Sequence, residues 1–258
     1  MHEQHYGKLD GPLMLFLHGG GVSGWMWDEQ IRHFSPHYHC VVPDLPEHGK
    51  SREDSPFSIK ASAEHLLRRI EVIEAGKPVI IIGFSLGAQI AVQMVSLRPD
   101  LINSAIINSA LVIPMPSMKQ WIPLSVRLTF PLIRSRTFSK LQAKSLYLNS
   151  KHFDQYYEES CQMQPESLVR VLEENMSFDM PAGFHHAQTK LLITVGEKEK
   201  AVMQQSAAVL AKGNPHSTGV IIPDIGHGLS LAKPDYFNLM IEQWLQTGQT
   251  PHNSQLIT

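Results

Sequence analysis

Apolar residues along this 258-residue chain fall into two alternating rhythms. Short, almost wholly apolar runs occur at Leu13–Leu17, Cys40–Pro43, Val79–Gly83, Ala105–Asn108, Leu191–Val195 and Gly219–Pro223. Such runs suit strands covered on both faces. Between them the apolar positions take a helical spacing. Leu66, Leu67, Ile70 and Ile73 form one such face, with Ser58 as its cap and Gly76-Lys77-Pro78 as its stop. Leu86, Ile90, Val92, Met94, Val95 and Leu97 form a second face, and Val202 to Lys212 is a helix ending at Gly213. Tyr236 to Leu245 carries Phe237, Met240, Ile241, Trp244 and Leu245 on one stripe. The alternation predicts an α/β domain: a mostly parallel central sheet flanked by helices, with right-handed crossovers. The polar tail from Thr247 to Thr258 is expected to fray.

One stretch breaks the rhythm. Residues 111–188 hold no convincing strand, but they contain prolines at 114, 116, 123, 131, 165 and 181 among helix-like, aromatic-rich pieces. This predicts a helical cap (111–188) inserted into a core made of residues 1–110 and 189–258. Trp121, Phe130, Phe138, Tyr147, Phe153 and Phe178 are read as mostly cap core, with a few facing a pocket. Charge is divided within the insertion. From Leu111 to Phe153 all charged residues are basic, whereas Asp154 to Asp179 is acidic apart from Arg170. Either the two halves pair on a solvated surface, or one of Arg127, Arg134 and Arg136 reaches inward to hold a substrate carboxylate.

The formal net charge of −2 shows no bias toward polyanions, so nucleic acid is not an expected partner. Met1 to Lys8 lacks a charged-then-apolar leader, and no apolar run is long enough for membrane insertion. No long basic amphipathic helix suggests a membrane-surface role. Cys40 and Cys161 are too far apart in sequence to suggest a disulfide framework, and a cytoplasmic location follows as the expectation. His33, His37 and His39 do not complete a metal site, since Pro36 interrupts any shared helix and no acid joins them. A homodimer is left open.

The chemistry lies at the strand ends. The run Val79 to Ile82 leads into Gly83-Phe84-Ser85-Leu86-Gly87 and then a helix. A chain that reverses this sharply exposes Ser85 at a strained tip, while Gly83 and Gly87 omit side chains where strand and helix pass. Upstream, His18-Gly19-Gly20-Gly21 follows a strand, so its backbone N–H groups can face a small anion. Leu86 and either Gly20 or Gly21 are the expected oxyanion donors. Gly19-Gly20-Gly21-Val22-Ser23-Gly24, with Asp44 ending the next strand, also satisfies a dinucleotide-binding pattern. The bulky Trp25, Met26 and Trp27 and the turn after Asp44 argue against it, and no cofactor is expected. His227, between Gly226 and Gly228 beyond the last long strand, is the expected base. For the acid, Glu199 is favoured by position in the loop after the preceding strand, with Asp224 and Glu197 as alternatives. Gly21, Trp25, Phe84 and the cap residue Trp121 are candidates to touch a small-molecule acyl substrate.

These elements together resemble the α/β-hydrolase family over nearly the whole chain. The carrying residues are His18-Gly-Gly-Gly21, Trp27, the stretch Val42 to Ser51, Gly83 to Gly87, Val195 to Glu199, and Gly226-His227. The pattern looks like the capped branch that holds esterases, lactonases and carbon–carbon bond hydrolases. Three features depart from the usual pattern. Glu199 stands where aspartate is usual, and Glu47 stands where glycine is usual, with an effect expected only on loop geometry. A stub replaces the antiparallel hairpin that usually precedes the His-Gly strand. Serine at the elbow tip argues against epoxide hydrolases and haloalkane dehalogenases, which place aspartate there. The resemblance implies hydrolysis of a small ester, thioester or lactone through an acyl-enzyme on Ser85. It also implies two alternatives with the same constellation: carbon–carbon cleavage or lyase chemistry, and a small-molecule receptor with vestigial turnover.

Overall fold

The computed structural model describes residues 1–73 and 76–257. In chain order the elements are β1 (Glu3–Gly7), β2 (Leu13–Leu17), α1 (Asp28–Phe34), β3 (His39–Pro43), α2 (Ile59–Ile73), β4 (Val79–Phe84), α3 (Leu86–Leu97) and β5 (Ser104–Asn108). Then follow α4 (Pro116–Lys119), α5 (Ile122–Ile133), α6 (Arg136–Ser145), α7 (Ser150–Gln162) and α8 (Pro165–Ser177). The chain closes with β6 (Lys190–Gly196), α9 (Ala201–Gly213), β7 (Ser217–Ile222), α10 (Leu229–Ala232), α11 (Pro234–Thr247) and β8 (Gln255–Leu256). The expected stop of α2 at Gly76 follows residues 74 and 75, which lie outside the described residues, as does Thr258.

The strands form one eight-stranded sheet in the order β1-β3-β2-β4-β5-β6-β7-β8, parallel from β3 to β7. The reason for its doubly apolar strands is visible residue by residue. Leu13, Leu15 and Leu17 point into a core shared with α2, α3 and α9, while Met14 and Phe16 point into a second core with Trp27, Phe34, Phe237 and Trp244. Val79 and Ile81 alternate with Ile80 and Ile82 between the same two cores.

Both sheet edges correct the sequence reading. Residues before β2 are no mere stub: β1 pairs antiparallel with β3, with Tyr6 opposite Cys40, and Arg69 of α2 grips the Glu3 carboxylate at 2.9 Å. The tail does not fray throughout, because β8 pairs antiparallel with β7 and Ile257 N–H donates to the Gly219 carbonyl at 2.9 Å. These short additions cover edges that would otherwise offer unpaired backbone groups. β1 is mostly polar and only half-buried, and β8 is two exposed residues, so neither carries a periodic signal.

Between β5 and β6 the described residues form helices only. The turn Ala182–His186 lies against α3, where a Cβ on Gly183 would stand 2.4 Å from the Ser96 carbonyl oxygen. Phe184 and Ala187 are buried in the main core, so the last residues of 111–188 pack as part of the sheet layer. The acidic half of the insertion faces the core rather than its basic half. Glu159 accepts from Ser23 and Trp25, Glu174 accepts from Ile59 N–H, and Arg170 pairs with Glu47. Arg136 with Asp154 is the one ion pair between the two halves among the described residues. No helix among these residues is long and apolar enough to cross a membrane.

Candidate active site

Ser85 stands at the junction of β4 and α3 with φ 52° and ψ −112°, a conformation that costs a non-glycine residue about 1–3 kcal/mol. The surroundings enforce it. Ser85 N–H donates to the Asn108 carbonyl at 2.9 Å, and its own carbonyl accepts from Ala88 and Gln89. A Cβ at Gly83 would lie 2.6 Å from the Gly87 carbonyl oxygen, and one at Gly87 only 2.2 Å from that of Leu17. The two glycines are therefore fixed by backbone passing backbone.

His227 follows β7, and its ring reaches Ser85 across 142 positions of sequence. Nε2 is 3.1 Å from Ser85 Oγ, and Nδ1 is 2.7 Å from Glu199 Oε2. Phe84 packs under the imidazole with ring centres 4.8 Å apart. Gly228, with φ 118°, lets the loop turn beneath the Leu146 carbonyl, and Gly226 N–H donates to the Tyr147 hydroxyl at 3.0 Å. The carboxylate at Nδ1 selects the tautomer that leaves the Nε2 lone pair free to accept from Ser85.

Glu199 is held on three sides. Its Oε1 accepts from Ser109 Oγ at 2.6 Å and from Gly196 N–H at 3.0 Å, while Oε2 meets His227. Burial pushes its pKa up, but the His227 hydrogen bond and charge, with Ser109 and Gly196, outweigh this and hold it below the usual carboxylate range. The two other candidate acids are engaged elsewhere. Asp224 is exposed and pairs with Lys198 at 3.0 Å, and Glu197 accepts from Asp224 N–H. Ser109 was missed from sequence, although it directly follows β5 and has a positive φ of 58°. Its location at the carboxyl end of a central strand is the signal that could have found it.

Leu86 opens α3, so its N–H is one of the first-turn donors that no helix carbonyl can accept. Gly20 lies beside it, since a Cβ there would be 3.7 Å from both Leu86 Cδ2 and Val171 Cγ1. The preceding His18 stiffens this loop: its Nδ1 meets the Gly19 carbonyl at 2.7 Å and its Nε2 accepts from Leu45 N–H at 2.9 Å. Burial, with His48 alongside, pushes the His18 pKa down to about 3. Asp44 is committed to backbone, accepting from Gly24 N–H and Lys50 N–H at 2.9 Å each. It thus braces two turns where a dinucleotide site would need it free for ribose.

Next to Gly21 a cavity of about 120 Å³ opens under the helices of the insertion, lined by Val22, His48, Ile133, Tyr156, Glu159 and Leu168 among others. Gly21, at φ 75°, is the proposed contact residue that does line it. The others do not. Trp25 is buried, donates from Nε1 to Glu159 at 2.9 Å and stacks on His152, so it joins core to insertion. Phe84 supports the imidazole from below, and Trp121 lies on the outer surface, 61 % exposed. Nor does any of Arg127, Arg134 and Arg136 reach inward: the first two are exposed, and Arg136 pairs with Asp154. The charged residues on the cavity wall are instead Glu159, Glu47 and, from the core, Arg52. Burial raises the Glu159 pKa despite hydrogen bonds from Trp25, Gln155 and Ser23. The histidines of the suspected cluster disperse, His39 toward His5 at 3.0 Å and His33 toward Glu242 at 3.2 Å.

Glu47 was also underestimated. It has φ 65° in its turn and is buried. Its carboxylate accepts from Ser167 Oγ at 2.8 Å, from Arg170 Nη2 at 2.7 Å and Nε at 3.0 Å, and from Phe57 N–H at 3.0 Å. It therefore fastens α8 to the core, rather than acting on loop geometry alone.

Comparison with known proteins places the chain in a family. A pimeloyl-(acyl-carrier protein) methyl ester esterase of Vibrio vulnificus is 25% identical over 92% of this chain and 94% of its own length. An (E)-2-((N-methylformamido)methylene)succinate hydrolase of Acinetobacter baylyi is 22% identical, covering 94% of both chains. The solved structure of a thermophilic esterase from Thermogutta terrifontis superposes with a TM-score of 0.79 at 18% identity, over 96% of this chain and 94% of that one. The family model described as alpha/beta hydrolase fold matches residues 12–234, and the chain belongs to that family.

Proposed function

We propose that this protein is a serine hydrolase that cleaves a small ester, thioester or lactone through an acyl-enzyme intermediate. One observation carries the reading: the strained Ser85 hydroxyl lies 3.1 Å from His227 Nε2, whose other nitrogen lies 2.7 Å from a buried carboxylate. In this mechanism Ser85 Oγ attacks the carbonyl carbon while its proton passes to Nε2. Charge growing on the carbonyl oxygen is received by the N–H groups of Leu86 and Gly20, each worth about 3 kcal/mol of transition-state stabilisation. Collapse returns the proton from Nε2 to the leaving group. Water then repeats the sequence on the acyl-enzyme, and Glu199 stabilises the imidazolium in both halves. Helices α4 to α8 act as the cap, and the cavity beside Gly21 takes one end of the substrate.

A fluorophosphonate probe, with a panel of short esters, lactones and a diketone, tests this on wild type and Ser85→Ala. Stoichiometric labelling and ester turnover that vanish together in Ser85→Ala are expected. An unlabelled wild-type protein defeats the reading. Labelling with negligible turnover assigns the fold to binding instead.

A further inference from the structure

Helix α5 carries apolar residues in two opposite directions. Ile122 and Val126 are buried inward, and Ile133 lines the cavity. On the far side Trp121, Leu124, Leu128 and Leu132 recur every three or four residues and are 61, 48, 69 and 46% exposed. At helical rise these form a single outward row about 16 Å long. Met118, just before it, is 48% exposed as well. Isolated exposed leucines are ordinary, but a continuous row marks a surface that meets another apolar phase.

Charge identifies that phase. No acidic residue occurs between Leu111 and Phe153. Lys119, Arg127, Arg134 and Lys144 make no ion pair among the described residues, whereas Arg136 and Lys151 are neutralised by Asp154 and Asp28. On the α5 wheel Arg127 and Arg134 both lie along one side of the apolar row, beyond Leu124.

We propose that the outward face of α5 docks on an anionic lipid surface. Trp121, Leu124, Leu128 and Leu132 enter the headgroup layer, and Lys119, Arg127 and Arg134 meet lipid phosphates. The helix lies in the plane of the interface, as amphipathic segments with basic flanks do. A second copy of the chain is a poorer occupant, because a self-complementary contact would set Arg127 and Arg134 against their own counterparts. A folded acidic protein is poorer too, since apart from the Trp121 indole N–H at one end the row offers no side-chain hydrogen-bonding group to orient one. Leu132 and Ile133 are adjacent, so the lipid contact and the cavity wall are two sides of one turn. The proposal does not depend on which acyl bond is cleaved. The two prolines, Pro123 and Pro131, hide this face from a periodicity reading.

The chain holds its own reporter. Trp25, Trp27 and Trp244 are buried, which leaves Trp121 as the exposed tryptophan. Phosphatidylglycerol vesicles should shift the emission of the full-length protein to the blue and carry it down in sedimentation, while phosphatidylcholine vesicles should do neither. Each cation near the surface contributes about fivefold, so Arg127→Gln with Arg134→Gln should weaken binding about 25-fold. Leu124→Ser with Leu128→Ser should weaken it at least about tenfold. Both double variants should keep the wild-type melting temperature and the wild-type rate on a water-soluble ester. Equal binding to both vesicle types, or none to either, overturns the proposal. So does vesicle binding unchanged in both variants, or a wild-type dimer that Leu128→Ser converts to monomer.

Discussion

Replacing Glu199 by glutamine separates the three candidate acids and probes the proton's position in the site. The substitution preserves shape but removes one acceptor. Gly196 N–H, 3.0 Å from Oε1, can only donate, and Ser109 Oγ at 2.6 Å already donates to the same atom. The amide oxygen must therefore occupy the Oε1 place, which turns the NH₂ group toward His227 Nδ1. That nitrogen must then accept, its proton moves to Nε2, and Nε2–H faces Ser85 with no lone pair to take the hydroxyl proton. The equivalent loss in other hydroxyl–imidazole–carboxylate sites is about 10⁴ in kcat, or about 5 kcal/mol of barrier. Folding should suffer much less. Two of the three hydrogen bonds keep their direction and the third reverses and loses its charge, so a loss of about 2 kcal/mol is expected, or about 4–8 °C in Tm for a chain of this size. The assay is kcat on a soluble ester at neutral pH, the rate of phosphonate labelling, and a thermal melt. Asp224→Asn and Glu197→Gln should stay within about twofold of wild type, since neither touches His227. If Glu199→Gln keeps more than a tenth of wild-type kcat, the tautomer argument fails. A collapse in Asp224→Asn would reassign the acid.

Gly87→Ala puts a Cβ 2.2 Å from the Leu17 carbonyl oxygen, so a loss of about 3 kcal/mol or more is expected, and a melt within 2 °C of wild type (about half a kcal/mol) would contradict it. His18, neutral in the fold with a pKa of about 3, takes up a proton on unfolding anywhere from there to its unfolded value near 6.5. Stability therefore rises with pH across that window, and this residue alone should make the protein about 2 kcal/mol less stable at pH 5 than at pH 7; His18→Asn should flatten the slope seen in denaturant titrations. Glu199, with its pKa depressed, acts in the same sense: its contribution is present above the unfolded carboxylate value and is lost as pH falls through the lower folded one. Burial pushes the Cys40 thiol up to about 12, so a thiol reagent should count one fast group per native chain, Cys161, and two after unfolding.

The elements that bury both faces were legible in sequence, because a parallel strand between helix layers admits little except apolar residues. Leu13–Leu17 and Val79–Gly83 illustrate this: each successive side chain enters one core or the other. Ser85 was legible because backbone crossing backbone at Gly83 and Gly87 leaves no alternative residue. Glu199 was only favoured, since spacing alone could not show that Asp224 would be taken by Lys198. The edge strands β1 and β8 were missed because hydrogen bonds to a neighbour, rather than side-chain burial, place them.

The insertion was least legible for a related reason: its helices are positioned by pairs whose members lie far apart in sequence. Glu47 and Arg170 are separated by 123 positions, and neither has any local pattern that announces the other. The carboxylate of Glu47, buried at φ 65° with four donors on it, is the kind of departure from family habit that has a structural cost. That cost is offset only if α8 stays docked. α8 also carries Leu168 into the cavity wall and Val171 against Gly20. The anchor therefore sets the distance between α8 and the Gly20 loop, and Glu47→Ala should loosen substrate binding while leaving Ser85 and His227 in register. A raised KM with kcat near wild type is the expected signature. A fall in kcat alone would mean that α8 has no part in shaping the substrate site.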